Sequence, residues 1–182
     1  MRELSLNVMD IAQNCIKAGA KLIHIYIFEN SKEHSLCIKI SDDGCGMTNE
    51  QVEKVIDPFF TTRNTRNVGM GIPLFKMAAE LTGGNITISS EINKGTSVCA
   101  VFKTDSIDMT PLGDINSTIS LLIKCNPNLD ILFERRFNDK QFSLDTRELK
   151  SVLGEVRLDV PEVTDWINEY LREETAKLGL KN

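Results

Sequence analysis

Leu4, Val8, Ile11 and Cys15 recur at spacings of four, three and four, which puts them on one face of a helix over residues 3–18. Gly19 stops it. The period then shortens to two. Residues 22–28 (LIHIYIF) are β-branched and aromatic and predict a strand; residues 35–41 (SLCIKIS) alternate as a second, with the polar NSKEH as the turn between them. Thr48 stands as an N-cap before a short helix over 49–56. Beyond a loop rich in Gly and Thr, Pro73 occupies the first turn of a helix that ends at Gly83-Gly84. Residues 85–91 and 96–102 then predict a hairpin around Asn93-Lys94-Gly95. Hairpin connections in this order imply a mostly antiparallel sheet with helices on one face.

The pattern changes character from about residue 105. TPLGDINSTISLLIKC predicts a helix, DILFERRF and KQFSL flank an Asn138-Asp139 turn as a second hairpin, and Val163, Trp166, Ile167, Tyr170 and Leu171 mark an amphipathic helix after Pro161. The expected division is a domain over 1–104 and a small helix–hairpin–helix module over 105–182.

Composition narrows the class. The 182 residues suffice for one core, or one core plus a small module. Cys15, Cys37, Cys45, Cys99 and Cys125 are odd in number and contain no C-x-x-C pair, which reads as reduced thiols in a cytoplasmic protein. No apolar run reaches the roughly 20 residues that cross a bilayer, and Glu3 and Asp10 interrupt the N-terminus, so neither a membrane nor a signal peptide is expected. Residues 1–103 carry 11 basic and 11 acidic side chains, whereas 104–182 carry 10 and 15, the whole of the net −5. No basic stripe offers itself to a phosphate backbone, so nucleic acid is not an expected partner.

Four segments carry chemistry. On the polar side of the first helix, Asn7, Asp10, Asn14 and Lys17 fall three, four and three apart and form one stripe. Such a stripe is ordinarily a solvated surface. It also supplies what a magnesium–triphosphate site needs: an amide oxygen for a hard cation, an ammonium for phosphate and a carboxylate to orient water. Asp42-Asp43-Gly44-Cys45-Gly46-Met47 follows a strand. Its glycines let a ligand lie against bare backbone, and a carboxylate there accepts from an exocyclic amine, favouring adenine over guanine. Asp57-Pro58-Phe59-Phe60-Thr61-Thr62-Arg63 precedes Asn67-Val68-Gly69-Met70-Gly71-Ile72-Pro73, a Gly-x-Gly entering a helix N-terminus, where free N–H groups bind anions. Asn93-Lys94-Gly95-Thr96-Ser97 alone is a hairpin turn.

In order and spacing these segments resemble the four boxes of the GHKL superfamily, the gyrase, heat-shock chaperone, histidine kinase and mismatch-repair ATPases, over roughly residues 2–103. The resemblance implies a Bergerat-type ATP-binding fold, an α/β sandwich with a mixed sheet, and ATP and Mg²⁺ as cofactors. It implies that Asn14 ligates Mg²⁺ and Lys17 touches phosphate. Asp42 would read the adenine amine, with Gly44, Gly46 and Met47 shaping the base pocket. Thr62, Arg63, Gly69, Met70 and Gly71 would lie along the phosphates, and Thr96 would support the adenine end. Asp10 stands where hydrolysing members carry a Glu that activates water and where many histidine kinases carry Asn. Asn67 replaces the usual first glycine of the second glycine box. No phosphoacceptor helix is expected before the domain, and His24 and His34 do not look like acceptors.

Three functions follow as expectations. The first is a Mg-dependent ATPase that regulates a partner protein through its conformation. The second is a regulatory kinase that phosphorylates a partner in trans, as anti-sigma-factor kinases do. The third is an ATP- or ADP-sensing module without turnover. The Trp166/Tyr170 helix is either core packing or a face for a partner or for a homodimer.

Overall fold

The computed structural model describes residues 3–56 and 70–180. In chain order the elements are α1 (Leu4–Lys17), β1 (Leu22–Asn30), β2 (Ser35–Asp42), α2 (Asn49–Ile56), α3 (Gly71–Leu81), β3 (Asn85–Glu91), β4 (Gly95–Lys103), α4 (Ile115–Cys125), β5 (Asp130–Phe137), β6 (Lys140–Asp145), α5 (Thr146–Leu153) and α6 (Pro161–Lys177). Leu4, Val8, Ile11 and Cys15 are all buried, as their spacing requires. The Thr48 cap is reciprocal. Its hydroxyl accepts from the Gln51 N–H at 3.2 Å, and the Gln51 side chain accepts from the Thr48 N–H at 2.8 Å. Pro161 opens α6 from its first turn.

All six strands form one sheet in the order β3-β4-β2-β1-β5-β6. Only β1–β5 is a parallel pair; the other neighbours are antiparallel. The sheet is therefore mixed and mostly antiparallel, as expected. The hairpin β5–β6 does not stand apart from the first four strands. It extends their sheet through β1, with Ile25 opposite Phe133 and Ile27 opposite Arg135.

Strand alternation divides the sheet into two faces. Ile23, Ile25 and Ile27 of β1, Leu36, Ile38 and Ile40 of β2, Val98, Ala100 and Phe102 of β4, and Ile131 and Phe133 of β5 are buried on one of them. α1 packs beside α3 on one flank and α4 on the other, and α6 packs on α4, so residues from both halves of the chain close one core. Burying each of these side chains contributes about 1.5–3 kcal/mol, and nothing in the packing separates the contribution of one half from the other. His24, Tyr26, Phe28, Cys37, Cys99, Leu132 and Glu134 lie half-buried on the opposite face.

The crossing from β4 to α4 is fastened to α1. The Leu4 and Ser5 N–H groups, which no helical carbonyl can reach, donate to the carbonyls of Pro111 and Leu112 at 2.9 and 2.8 Å.

Three local readings change. The helix drawn from Thr110 begins at Ile115, because the Asp114 side chain caps it by accepting from the Ser117 N–H. α5 has no counterpart in the sequence reading. It starts on the Asp145 side chain, which accepts from the Arg147 N–H directly after β6. Asn7, expected on a solvated stripe, is 2% exposed.

Candidate functional site

The site is assembled where β2 ends and β4 begins, beside the C-terminus of α1. Asp42 is the last residue of β2 and pairs with Thr96 of β4 on the helix-facing side. The Asp42 Oδ1 accepts from the Gly44 N–H at 2.8 Å, which turns the chain sharply away from the strand. Cys45 then donates its N–H to the Ala18 carbonyl at 2.9 Å and accepts from the Asn93 N–H at 2.8 Å. The glycine segment is thus held between α1 and the β3–β4 turn.

Space explains its glycines. Gly46 has φ +67°, and a Cβ there would stand 2.0 Å from the Glu91 carbonyl oxygen. A Cβ on Gly44 would stand 2.9 Å from both the Ala18 carbonyl oxygen and Asp42 Oδ1, and one on Gly95 would stand 1.8 Å from the Asp42 carbonyl oxygen. The Met47 N–H donates to the Ser90 hydroxyl at 2.8 Å, which lies 2.9 Å from the Thr96 hydroxyl and donates to the Gly95 carbonyl at 3.0 Å. Met47 and Thr96, some fifty positions apart in sequence, are joined through one serine that sequence reasoning missed.

The other wall is the contact between α1 and α3. A Cβ on Gly71 would stand 2.7 Å from the Asp10 Cβ, so the first residue of α3 lies directly against Asp10. Asp10 and Lys17 are exposed and Asn14 is half-buried, so the predicted stripe stays accessible beyond the buried Asn7. No side chain among the described residues caps the N-terminus of α3, and Met70 just before it is 54% exposed. Met70 and Gly71 therefore stand where they were expected, at a helix N-terminus. Thr62, Arg63 and Gly69 lie outside the described residues.

Cys15, read only as an apolar helix position, is buried against Asp42. Burial first, then the Asp42 charge and a hydrogen bond to that carboxylate, push the thiol well above its usual range. The thiol therefore stays protonated beside Asp42. Its place in the helical period gave no hint of this, because β2 ends there only in three dimensions. Asp43 serves the fold: its Oδ1 accepts from the Lys21 and Leu22 N–H groups at 2.7 and 2.9 Å and so fixes the start of β1. The slight burial of its carboxyl works against the charge, but the two N–H donors prevail and hold its pKa below the usual carboxylate range.

A helix-covered, mostly antiparallel sheet, ending in a carboxylate and two glycine-lined approaches, defines an ATP-binding fold. The family described as histidine kinase-, DNA gyrase B-, and HSP90-like ATPase matches residues 2–106. The chain belongs to this family and carries its ATP-binding domain. It is 30% identical over 98 residues to Sporulation kinase B of Bacillus subtilis (strain 168) and 36% identical over 101 residues to Sensor protein SrrB of Staphylococcus aureus. These alignments take in 54% and 53% of this chain but 22% and 17% of the relatives, so the chain spans about a fifth of their length.

Two solved structures share the fold at 14% identity. The N-terminal domain of a DNA repair protein superposes with a TM-score of 0.59 over 85% of this chain and 58% of its own. The Aquifex aeolicus MutL ATPase domain, complexed with ADP, does so with a TM-score of 0.51 over 84% of this chain and 69% of its own. Those shares exceed the part matched by the family, so the structural likeness continues past β4. No helix among the described residues is long and apolar enough to cross a membrane.

Proposed function

We propose that the chain is a Mg²⁺-dependent ATPase whose nucleotide state alters its hold on a partner protein. The observation that carries this reading is the abutment of Asp10 on Gly71, which sets an exposed carboxylate beside a helix N-terminus. The residues fit the nucleotide. Gly44 and Gly46 hold the chain close beside Asp42, where any larger residue at either position meets protein within 3 Å. The ADP complex of the MutL ATPase domain supports a nucleotide in this fold.

In this reading the Asp42 carboxylate accepts from the exocyclic amine of adenine, steadied by Gly44 and Cys15, while Ser90 and Thr96 support the base end through their hydroxyls. Gly44, Gly46 and Met47 line the base. The N–H groups at Met70 and Gly71 face the phosphates; Thr62, Arg63 and Gly69, outside the described residues, are assigned to the phosphates by the family resemblance alone. Lys17 neutralises phosphate charge, and the amide oxygen of Asn14 ligates Mg²⁺, which supplies charge neutralisation when bound. Asp10 holds the proton of the attacking water. Asp is one methylene shorter than Glu, and proton transfer is sensitive to misplacement of about 1 Å, so turnover is slow.

The experiment is steady-state phosphate release with and without Mg²⁺, on the chain and on Asp10→Asn. The substitution is expected to lower release by about 10²-fold or more while leaving ATP affinity within a few-fold. Equal turnover removes Asp10 as the base, and no release from the parent chain leaves an ATP or ADP sensor.

A second reading, a kinase acting on a partner in trans, is favoured by the likeness to Sporulation kinase B and Sensor protein SrrB. Incubation with γ-labelled ATP and a lysate of the source organism separates the two. A labelled protein band identifies a kinase, and labelled inorganic phosphate alone an ATPase.

A further inference from the structure

The open face of the sheet carries a pair of cysteines that the nucleotide site does not use. Cys37 of β2 and Cys99 of β4 lie on the side away from the helices, both half-buried, with their sulfurs 3.6 Å apart. The register makes them diagonal neighbours: Cys37 is opposite Val101, and Cys99 is opposite Lys39. Lys39 is exposed and shares this face with both thiols. The other positions around the pair are Tyr26 and Phe28 of β1, Val101 of β4, and Asn85 and Thr87 of β3, none of them acidic.

We propose that Cys37 and Cys99 form a reversible redox modification site, in which Cys99 is the nucleophile toward a peroxide and Cys37 the resolving thiol, closing a disulfide across β2 and β4. In the first step the Cys99 thiolate attacks one peroxide oxygen. An S–O bond forms, the O–O bond breaks, and the departing hydroxide or alkoxide takes a proton from solvent. The Cys37 sulfur then attacks the Cys99 sulfur. The S–S bond forms, the S–O bond breaks, and the hydroxide leaves with the Cys37 proton as water. Two thiols are oxidised by two electrons and one peroxide is reduced. A dithiol reductant reverses the bond by exchange.

Geometry sets the order of the two cysteines. The Lys39 ammonium is directly across the ladder from Cys99, where it favours the thiolate. The hydrogen bond between the two thiols, against the cost of burial and with help from Lys39, lowers the Cys99 pKa to about 6, while the same bond and burial push Cys37 up. Bond closure brings the sulfurs from 3.6 Å to about 2.05 Å. Diagonal neighbours are wider apart at Cα than opposite ones, so the closure is taken up by side-chain rotation and a small approach of the strands. The remaining thiols are placed differently: Cys15 is buried, and Cys45 and Cys125 are exposed singly.

The test is hydrogen peroxide at a few equivalents on the full chain at pH 7, then alkylation of free thiols and non-reducing peptide mapping. The expected product is a Cys37–Cys99 cross-link in most molecules, lost on treatment with dithiothreitol. Alkylated Cys37 and Cys99 beside oxidised Cys45 or Cys125 overturns the proposal. Two variants test the roles, with folding checked by circular dichroism. Cys37→Ser should leave Cys99 as a sulfenic acid that dimedone traps, whereas in Cys99→Ser dimedone labelling of Cys37 should be several-fold lower. Equal or reversed labelling overturns the assignment of nucleophile and resolving thiol.

Discussion

The four strands from Leu22 to Lys103 and the hairpin from Asp130 to Asp145 belong to one sheet, yet they use their residues in opposite ways. In the first region the backbone is packed closely: Gly44, Gly46, Gly71 and Gly95 each stand where a Cβ meets protein around Asp42 and Asp10, and Gly84 does so at the far end of β4, against the Val101 carbonyl. The hairpin region shows the reverse, side-chain density without a glycine cradle. Arg135, 5% exposed, reaches Glu29 at 3.1 Å and Thr175 at 3.4 Å, and Thr175 also meets Asn116. Phe142 packs edge-on against both Phe133 and Tyr170. The first region is held by close approach of backbone, whereas the added pair of strands is held by filled side-chain space. Together they indicate that the second region acts on the first as support for β1 and α1.

That contrast can be broken most severely by removing residues 105–182. The deletion leaves β1 as an edge with Ile23, Ile25 and Ile27 uncovered on one flank, and strips α1 of the carbonyls that serve Leu4 and Ser5. The expected outcome is loss of soluble chain and of a cooperative thermal transition; a stable fragment that binds ATP at parental affinity makes the two regions independent domains.

Phe133→Ala is next, at about 3–5 kcal/mol for truncating a fully buried aromatic in β5. One shared core requires a single urea transition moved as a whole. Two transitions, with only one of them shifted, separate the regions.

Asp42→Asn should do the opposite of Phe133→Ala. It is expected to weaken ATP binding by about 1.5–3 kcal/mol, roughly 10- to 150-fold, with little change in the urea midpoint. Calorimetry showing parental affinity removes Asp42 as the adenine reader.

The smallest effect is at Asp43, where Ala should cost about 1 kcal/mol through two lost backbone hydrogen bonds. Its folded-state pKa lies below the ordinary value. The carboxylate therefore stabilises the fold above about pH 4, and that contribution is lost as pH falls through the lower folded value. The stability difference between parent and Asp43→Ala, followed from pH 5 to pH 2, is expected to shrink; a constant difference assigns the effect to packing.

Much of this was legible in the chain. The spacing of Leu4, Val8, Ile11 and Cys15, the alternation in β1 and β2, and turn residues such as Asn93 and Asn138, both at positive φ, act over a few positions. So do the glycine segments, because a Gly-x-Gly is needed wherever backbone is approached closely. α5 was missed because its polar residues carry too few buried positions to make a period; only Thr146 is buried. The Ser90 link, the pressing of Cys15 on Asp42 and the Cys37–Cys99 contact have no local signal at all.

By itself, then, the sequence determined most of the elements, the ATPase family and the glycine segments, since each depends on near neighbours in the chain. The tertiary structure decided what those segments touch. It put Gly71 against Asp10, joined Met47 to Thr96 through Ser90, and made β5 the parallel neighbour of β1. Those contacts span from tens of residues to more than a hundred, and they are fixed by burying one shared face of the sheet, a condition on the whole chain that no short stretch can express.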